Sequence, residues 1–135
     1  MVLLKDKNKL MTTLSILLLI VFISSCAESV DEYAQKPTLK KVDRIMAPHF
    51  VSGEWRYRGA RAIDKGIAAY IQIPDRTGLE DKQHINYVQV TVCPKVNLTD
   101  FWEDIFPYAL YIRTYNYVDR HYLETYCPSP FKLTP

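Results

Sequence analysis

Apolar and polar residues alternate in several short stretches of this chain, and a period of two is typical of half-buried β-strands. In 66–73 every second residue is apolar and falls on one face of the predicted strand, namely Ile67, Ala69, Ile71 and Ile73. In 54–58 two aromatic residues, Trp55 and Tyr57, alternate with two arginines. Both stretches therefore predict strands.

The stretch 85–92 predicts a third strand, because it sets three valines against Tyr87, Gln89 and Thr91. Valine is β-branched and favours strands. The polar segment 74–84 separates this stretch from the strand at 66–73, and its Gly78 suits a turn. We predict a long hairpin loop there, and its length makes it a candidate functional loop.

The C-terminal part predicts a β-hairpin with two unlike faces. Leu110 and Ile112 share one face, and after a turn near 118–120 Leu123 and Cys127 share a face. The opposite face is rich in tyrosine and also carries two charged residues: Tyr111, Arg113, Tyr115, Tyr117, Tyr122, Glu124 and Tyr126. We therefore expect an apolar inner face and a tyrosine-rich outer face.

Two stretches have helical spacing. Val42, Ile45 and Met46 predict a short helix before Pro48. The stretch 97–106 predicts a second helix, with Asn97 as its N-cap and an apolar stripe at helical spacing: Leu98, Phe101, Trp102 and Ile105. The predicted fold class is α+β, an antiparallel sheet of about five strands with the helix 97–106 covering one face.

The N-terminus has the parts of a secretory signal peptide. Three lysines within residues 1–9 precede an apolar run that ends at Ile23, and this run is shorter than the about 20 apolar residues of a membrane span. A transmembrane anchor or a buried core helix is the alternative. The residues Ile23-Ser24-Ser25-Cys26 resemble the lipobox of bacterial lipoproteins. The resemblance covers residues 1–26 only.

The lipobox resemblance implies cleavage between Ser25 and Cys26 and a diacylglycerol on the Cys26 thiol, so membrane lipid is an expected partner. Ala27 resembles the signal that sends such proteins to the outer membrane, on its periplasmic side. The predicted organisation is a signal peptide over 1–25, a lipidated Cys26 with a flexible tether over 26–40, and one globular domain over 41–135.

The net charge of +2 belongs to the signal peptide. Residues 1–25 hold three lysines and one aspartate, which leaves 14 basic and 14 acidic residues after cleavage. We expect no nucleic-acid partner, because binding to phosphate backbones depends on accumulated Lys and Arg. The cluster of Arg56, Arg58 and Arg61 is interpreted as a solvated strand face, with a local binding feature as the alternative.

Two cysteines remain once Cys26 is lipidated, and the periplasm is oxidising. We predict a disulfide between Cys93 and Cys127, joining the end of the third strand to the end of the last. The alternatives are two separate buried thiols or a reactive cysteine.

A search for catalytic chemistry finds little. His49, His84 and His121 lack metal-ligand spacing, and each is expected to be an ordinary surface or turn histidine. The adjacent acids Glu80-Asp81 and Glu103-Asp104 point in different directions on a regular element. The chain has only four glycines and no phosphate-binding loop. We expect no enzyme activity, no cofactor and no metal.

The expected function is a non-catalytic adaptor or assembly factor of the cell envelope, which binds a protein partner through Tyr111, Arg113, Tyr115, Tyr122 and Glu124. Tyr and Arg are the residue types that most often supply interface hot spots. The alternative is that the tyrosines only form cross-strand pairs that stabilise the sheet. In general plan the chain is similar to pilotins and assembly lipoproteins of secretion machines. An immunity or inhibitor lipoprotein, plugging a toxin or hydrolase with the loop 74–84, is the other function considered.

Overall fold

The computed structural model describes residues 31–74, 78–118 and 121–133, so the predicted signal peptide, Ser25, Cys26 and Ala27 lie outside the described residues. Within these ranges, three α-helices, a 3₁₀ turn and four strands follow one another: α1 (Lys36–Met46), the 3₁₀ turn (Ala47–Phe50), β1 (Arg56–Ile63), β2 (Gly66–Ile73), α2 (Asp81–Thr91), α3 (Thr99–Ile105), β3 (Ala109–Asn116) and β4 (Leu123–Cys127). None of the helices in the described ranges is long and apolar enough to cross a membrane.

The four strands form one mixed sheet in the order β1-β2-β3-β4. The outer pairs are antiparallel, but β2 and β3 are parallel, with Ile67 opposite Leu110 and Ala69 opposite Ile112. The α+β class is confirmed, whereas the predicted antiparallel sheet of five strands is wrong. Because α2 and α3 both lie between β2 and β3, the chain crosses over and returns in the same direction.

The predicted third strand, 85–92, is helical. Glu80 and Gln83 form a capping box in which the Glu80 N–H donates to Gln83 Oε1 at 3.2 Å. From there the helix buries His84 and Val88, four residues apart, while Val90 is 75% exposed. The start signal and the i, i+4 burial therefore outweigh the β preference of the three valines.

The helix predicted at 97–106 is α3. Phe101, Trp102 and Ile105 are buried as predicted. Leu98 takes the N-cap position and makes no side-chain cap bond, so the prediction of Asn97 as N-cap is wrong. Trp102 is further fixed by its Nε1, which donates to the Lys95 carbonyl at 3.0 Å. The prediction of one covering helix was incomplete, since α1 and α2 pack on the same side.

The helix predicted before Pro48 is α1, which buries Val42 and Met46. It begins at Lys36, inside the range 26–40 that was assigned to the tether, and Ala34 ahead of it is also buried. The ordered unit therefore extends further toward the N-terminus than the predicted start at residue 41.

The core lies between the helices and one face of the sheet, the inner face. Its strand residues are apolar and fully or almost fully buried: Ile67, Ala69, Ile71, Ile73, Leu110, Ile112 and Cys127. The predicted Cys93–Cys127 disulfide is confirmed, with Cα atoms 5.4 Å apart. It joins the segment after α2, not a strand end as predicted, to the end of β4, and so ties the helical layer to the sheet.

A helix side chain is hydrogen-bonded to the backbone of each edge strand. On β1 the Ala60 N–H donates to Asp43 Oδ1 at 2.9 Å, and the Tyr57 hydroxyl donates to the same oxygen at 2.8 Å. A β-bulge lies between Tyr57 and Gly59, where Gly59 has a φ of +102° that favours glycine. On β4 the Tyr126 carbonyl accepts a bond from Gln89 Nε2 at 2.9 Å. These contacts occupy part of each edge.

Candidate functional site

The face of the sheet opposite the helices carries tyrosines and charged residues. We call it the outer face and define it by eight residues of all four strands and the residue before β4: Arg61, Tyr70, Tyr111, Arg113, Tyr115, Tyr122, Glu124 and Tyr126. Strand alternation places them there, because Arg61 lies opposite Ala68, Tyr111 opposite Tyr126, and Arg113 opposite Glu124. All five residues predicted to bind a partner share this face.

Arg113 is the centre of the outer face. Its Nε donates to Glu124 Oε2 at 2.7 Å and its Nη1 donates to the Tyr70 hydroxyl at 2.7 Å. The guanidinium also lies 4.4 Å from the centroid of the Tyr122 ring, which is cation–π distance. Burial lowers the pKa of Arg113, but the hydrogen bonds to Tyr70 and Glu124 outweigh it and raise the pKa above its ordinary value. The charge is therefore permanent.

The tyrosines pack edge to face around Tyr70. Its ring centroid lies 6.4 Å from that of Tyr115 and 6.5 Å from that of Tyr122. On the β1 side, the Arg61 guanidinium lies 4.6 Å from the same ring. Beneath this layer, Ala68 of β2 is fully buried. The rings therefore cover the central strand, which is the structural role that the sequence analysis left open.

The exposed tyrosines of the outer face are on β4 and the residue before it, and Arg61 on β1 is exposed as well. Tyr122 is 40% exposed and Tyr126 43% exposed. Tyr111 is half-buried, and its ring lies so close to β2 that a Cβ on Gly66 would meet Tyr111 Cε2 at 3.1 Å. Tyr122 and Tyr126 are thus the tyrosines of the outer face that are most available to a partner.

The sequence did not place two residues on the outer face: Arg61, which was named only as part of an arginine cluster, and Tyr70. Tyr70 is the only aromatic residue of 66–73, on the face opposite the four apolar residues, and that was the available signal. It carried no weight because the strand order was unknown. Only the pairing of β2 with β3 shows that Tyr70 lies next to Arg113.

Two of the residues considered for catalysis, His84 and Asp104, make structural contacts. His84 is 3% exposed, so the expectation of a surface or turn histidine is wrong, and its Nε2 shares a hydrogen bond with Thr114 Oγ1 at 2.7 Å. Burial lowers the pKa of His84, against the charge of Asp81, which raises it. Asp104 pairs with Lys41 at 2.8 Å. Within 31–74, 78–118 and 121–133, no group of three or more His, Cys, Asp or Glu residues could hold a metal ion.

A cleft on the helical side has a volume of about 520 Å³. It lies between the segment after α1 and the C-terminal half of α2, and aromatic side chains line it: Phe50, Trp55 and Tyr87. Trp55 also stacks on His84, with centroids 6.2 Å apart. The charged residues of the lining, His49, Glu54 and Lys95, are exposed.

The polar loop predicted at 74–84 is shorter than expected. Residues 81–84 belong to α2, with His84 buried and Glu80 engaged in the capping box. Residues 75–77 lie outside the described part of the chain. About half of the segment that was proposed to plug an active site is therefore part of α2 or its cap.

The comparisons with known proteins add no relative. No protein-family model, no curated protein and no solved structure matches this chain.

Proposed function

We propose that this chain is a lipid-anchored protein of the bacterial cell envelope that binds a protein partner through the outer face of its sheet, as an adaptor or assembly factor. The lipobox-like Ile23-Ser24-Ser25-Cys26 supports the anchor. The outer face is the single observation that carries the binding role, because it concentrates tyrosine and arginine on a surface that the described helices leave uncovered.

The chemistry of the outer face defines the kind of partner. Arg61 and Arg113 face one acid, Glu124, so the face has an excess of positive charge. The exposed rings of Tyr122 and Tyr126 offer apolar area with a polar hydroxyl at the end, a combination that is enriched in protein interfaces. The partner surface is therefore acidic around an apolar centre, and the arginines supply specificity more than affinity.

The test is capture of the partner from living cells. The tagged full-length protein is cross-linked in its own host and purified from membranes, and the captured proteins are compared with those of the Tyr122→Ala/Tyr126→Ala double variant. We expect the double variant to lose at least about tenfold of the captured partner, since two hot-spot tyrosines contribute 2 kcal/mol or more.

The matched control is Tyr87→Ala, which removes a tyrosine of similar exposure, 47%, from α2 on the other side of the sheet. It should keep the partner. Equal capture by the double variant and the wild type, with both folded and both membrane-bound, would show that the tyrosines only stabilise the sheet. Radiolabelled palmitate and a Cys26→Ser variant test the anchor separately.

A further inference from the structure

The start of the described chain is fixed at one end of the sheet. The Tyr108 hydroxyl donates to the Asp31 carbonyl at 2.8 Å, and the Lys65 N–H donates to the Glu32 carbonyl at 3.1 Å. Lys65 lies in the turn between β1 and β2, and Tyr108 lies directly before β3. Asp31 is therefore held at the end of the sheet where β1 ends and where β2 and β3 begin.

Exposed aromatic side chains gather at the same end. Phe106 is 52% exposed and its ring lies 5.9 Å from that of Phe131, which follows the end of β4. Tyr33 is 51% exposed, and its carbonyl accepts a bond from the Tyr108 hydroxyl at 3.4 Å. We call this group the aromatic end and define it by four residues: Tyr33, Phe106, Tyr108 and Phe131.

Charges of both signs lie close to the aromatic end in the sequence. The exposed ones include three lysines, Lys36, Lys65 and Lys132, and the acids Asp31, Glu32, Asp64, Glu103 and Asp104. Tyrosine is enriched at the boundary between lipid and water, because its ring is apolar and its hydroxyl is polar, and phenylalanine occurs on the apolar face of segments that lie in this boundary. The aromatic end thus has the side chains that suit contact with lipid headgroups. It lacks the excess of positive charge that would favour a purely electrostatic contact.

The length of chain between the lipid and the domain is short. Four residues lie between Cys26 and Asp31, and a fully extended chain covers at most about 18 Å over these five steps. The predicted tether of 26–40 would have allowed far more, but Asp31 and Glu32 are already bonded to the sheet. A lipid at Cys26 would therefore keep Asp31 within that distance of the bilayer.

We propose that the aromatic end rests on the phospholipid headgroups, so that the domain is held to the membrane at two points, the lipid on Cys26 and the rings of Tyr33 and Phe106. This inference rests on the proposed lipid anchor. Strands β2 and β3 then run away from the bilayer, and Tyr117 just after β3 lies roughly 26 Å further from it than Ala109 at the start of β3, at the rise of an extended strand. The outer face stays open to a partner beside the membrane.

The experiment measures how close single tryptophans come to lipid. Full-length Phe106→Trp, Tyr33→Trp and Tyr117→Trp proteins, lipidated by the producing cells, are reconstituted into phosphatidylcholine vesicles with and without bromine on the acyl chains. The emission of the native Trp55 and Trp102 is subtracted by comparison with the wild type. We expect bromine to quench the added tryptophan in Phe106→Trp and Tyr33→Trp but not in Tyr117→Trp, which is 67% exposed at the far end of β3.

The outcomes separate the two proposals. If palmitate labelling and vesicle flotation show the anchor, but bromine quenches neither Phe106→Trp nor Tyr33→Trp, the contact between the aromatic end and the bilayer is refuted and the anchor stands. Quenching of Tyr117→Trp as strongly as the others would also overturn the inference, since the domain would then have no preferred end. A protein without palmitate refutes both, and the two independent reporter positions guard against one variant that misfolds.

Discussion

The inner and outer faces of the sheet are built from alternate residues of the same strands and have opposite chemistry. On β3, Leu110 and Ile112 are fully buried against the helices, whereas Tyr111 and Arg113, which alternate with them, point to the open side. The inner face is mostly apolar, with the buried Thr114 and Thr125 as exceptions, and it packs against the helices of the same chain. The outer face holds rings and charges that are satisfied by one another and still partly exposed.

If the proposed binding role holds, stability and recognition depend on different residues of one strand. Changes on the inner face should act on the free energy of unfolding, and changes on the outer face should act mainly on partner capture. The contrast is not complete, since the outer rings also bury Ala68 of the central strand. Measurements on matched pairs can show how far the separation holds.

The largest effect is expected from the Ile112→Ala variant on the inner face. Ile112 is fully buried on a central strand, so the substitution should lower the free energy of unfolding by about 3–5 kcal/mol through lost burial and an unfilled cavity. The matched change on the outer face, Tyr126→Ala, should cost about 1 kcal/mol, the value of one aromatic pair. Urea unfolding of both variants measures the difference, and equal losses would contradict the comparison.

The next largest effect on the free energy of unfolding is expected from the disulfide, which joins the helical layer to the inner side of the sheet. The Cys93→Ala/Cys127→Ala variant opens a loop with a sequence separation of 34, which should cost about 3–4 kcal/mol by the chain-entropy estimate. The loss should appear in urea unfolding of the variant and equally in the wild type after reduction. A loss below about 1 kcal/mol would show that packing alone joins α2 to β4.

A smaller and pH-dependent effect is expected from His84. Because burial lowers its pKa in the folded state, the unfolded chain takes up a proton at a higher pH than the folded chain does. The stabilisation is therefore complete above the ordinary value of 6.5 and is lost as the pH falls below it toward the folded-state pKa. The slope cannot exceed about 1.4 kcal/mol per pH unit for one proton.

The measurement compares urea unfolding at about pH 8 and about pH 5 for the wild type, His84→Gln and His49→Gln. Carboxylates contribute the same background to all three proteins. The free energy of unfolding should fall less between about pH 8 and about pH 5 in His84→Gln than in the wild type. In His49→Gln, which changes an exposed side chain, it should fall as much as in the wild type. The same decrease in all three would exclude His84 as the cause.

The elements with one strong local signal were predictable from the sequence. The strand Gly66–Ile73 and the two faces of the C-terminal hairpin follow from strict alternation, and the apolar stripe of α3 follows from helical spacing. The stretch 85–92 satisfied both periods, because Val88, Val90 and Val92 alternate while His84 and Val88 are four residues apart. The capping box favours the helix. Because this stretch is a helix and not a strand, it can connect β2 to a parallel β3.

The candidate site was predictable strand by strand but not as a surface. Alternation placed Tyr111, Arg113, Tyr115, Tyr122 and Glu124 on one side of a hairpin. The contribution of Arg61 and Tyr70 depends on which strands are neighbours, and local residue patterns do not encode that order. The position of Arg113 between Tyr70 and Glu124 is therefore a property of the tertiary structure.

The side-chain bonds at the two sheet edges would matter most if the proposed lipid anchor confines the protein to a bilayer. Such a protein collides with its own copies far more often than one that diffuses in three dimensions, and free strand edges would let neighbouring copies join into ribbons. Asp43 of α1 binds a backbone N–H of β1, and Gln89 of α2 binds a backbone carbonyl of β4. Such a ribbon would need both of these backbone groups. The two side chains thereby help a crowded population to remain separate molecules.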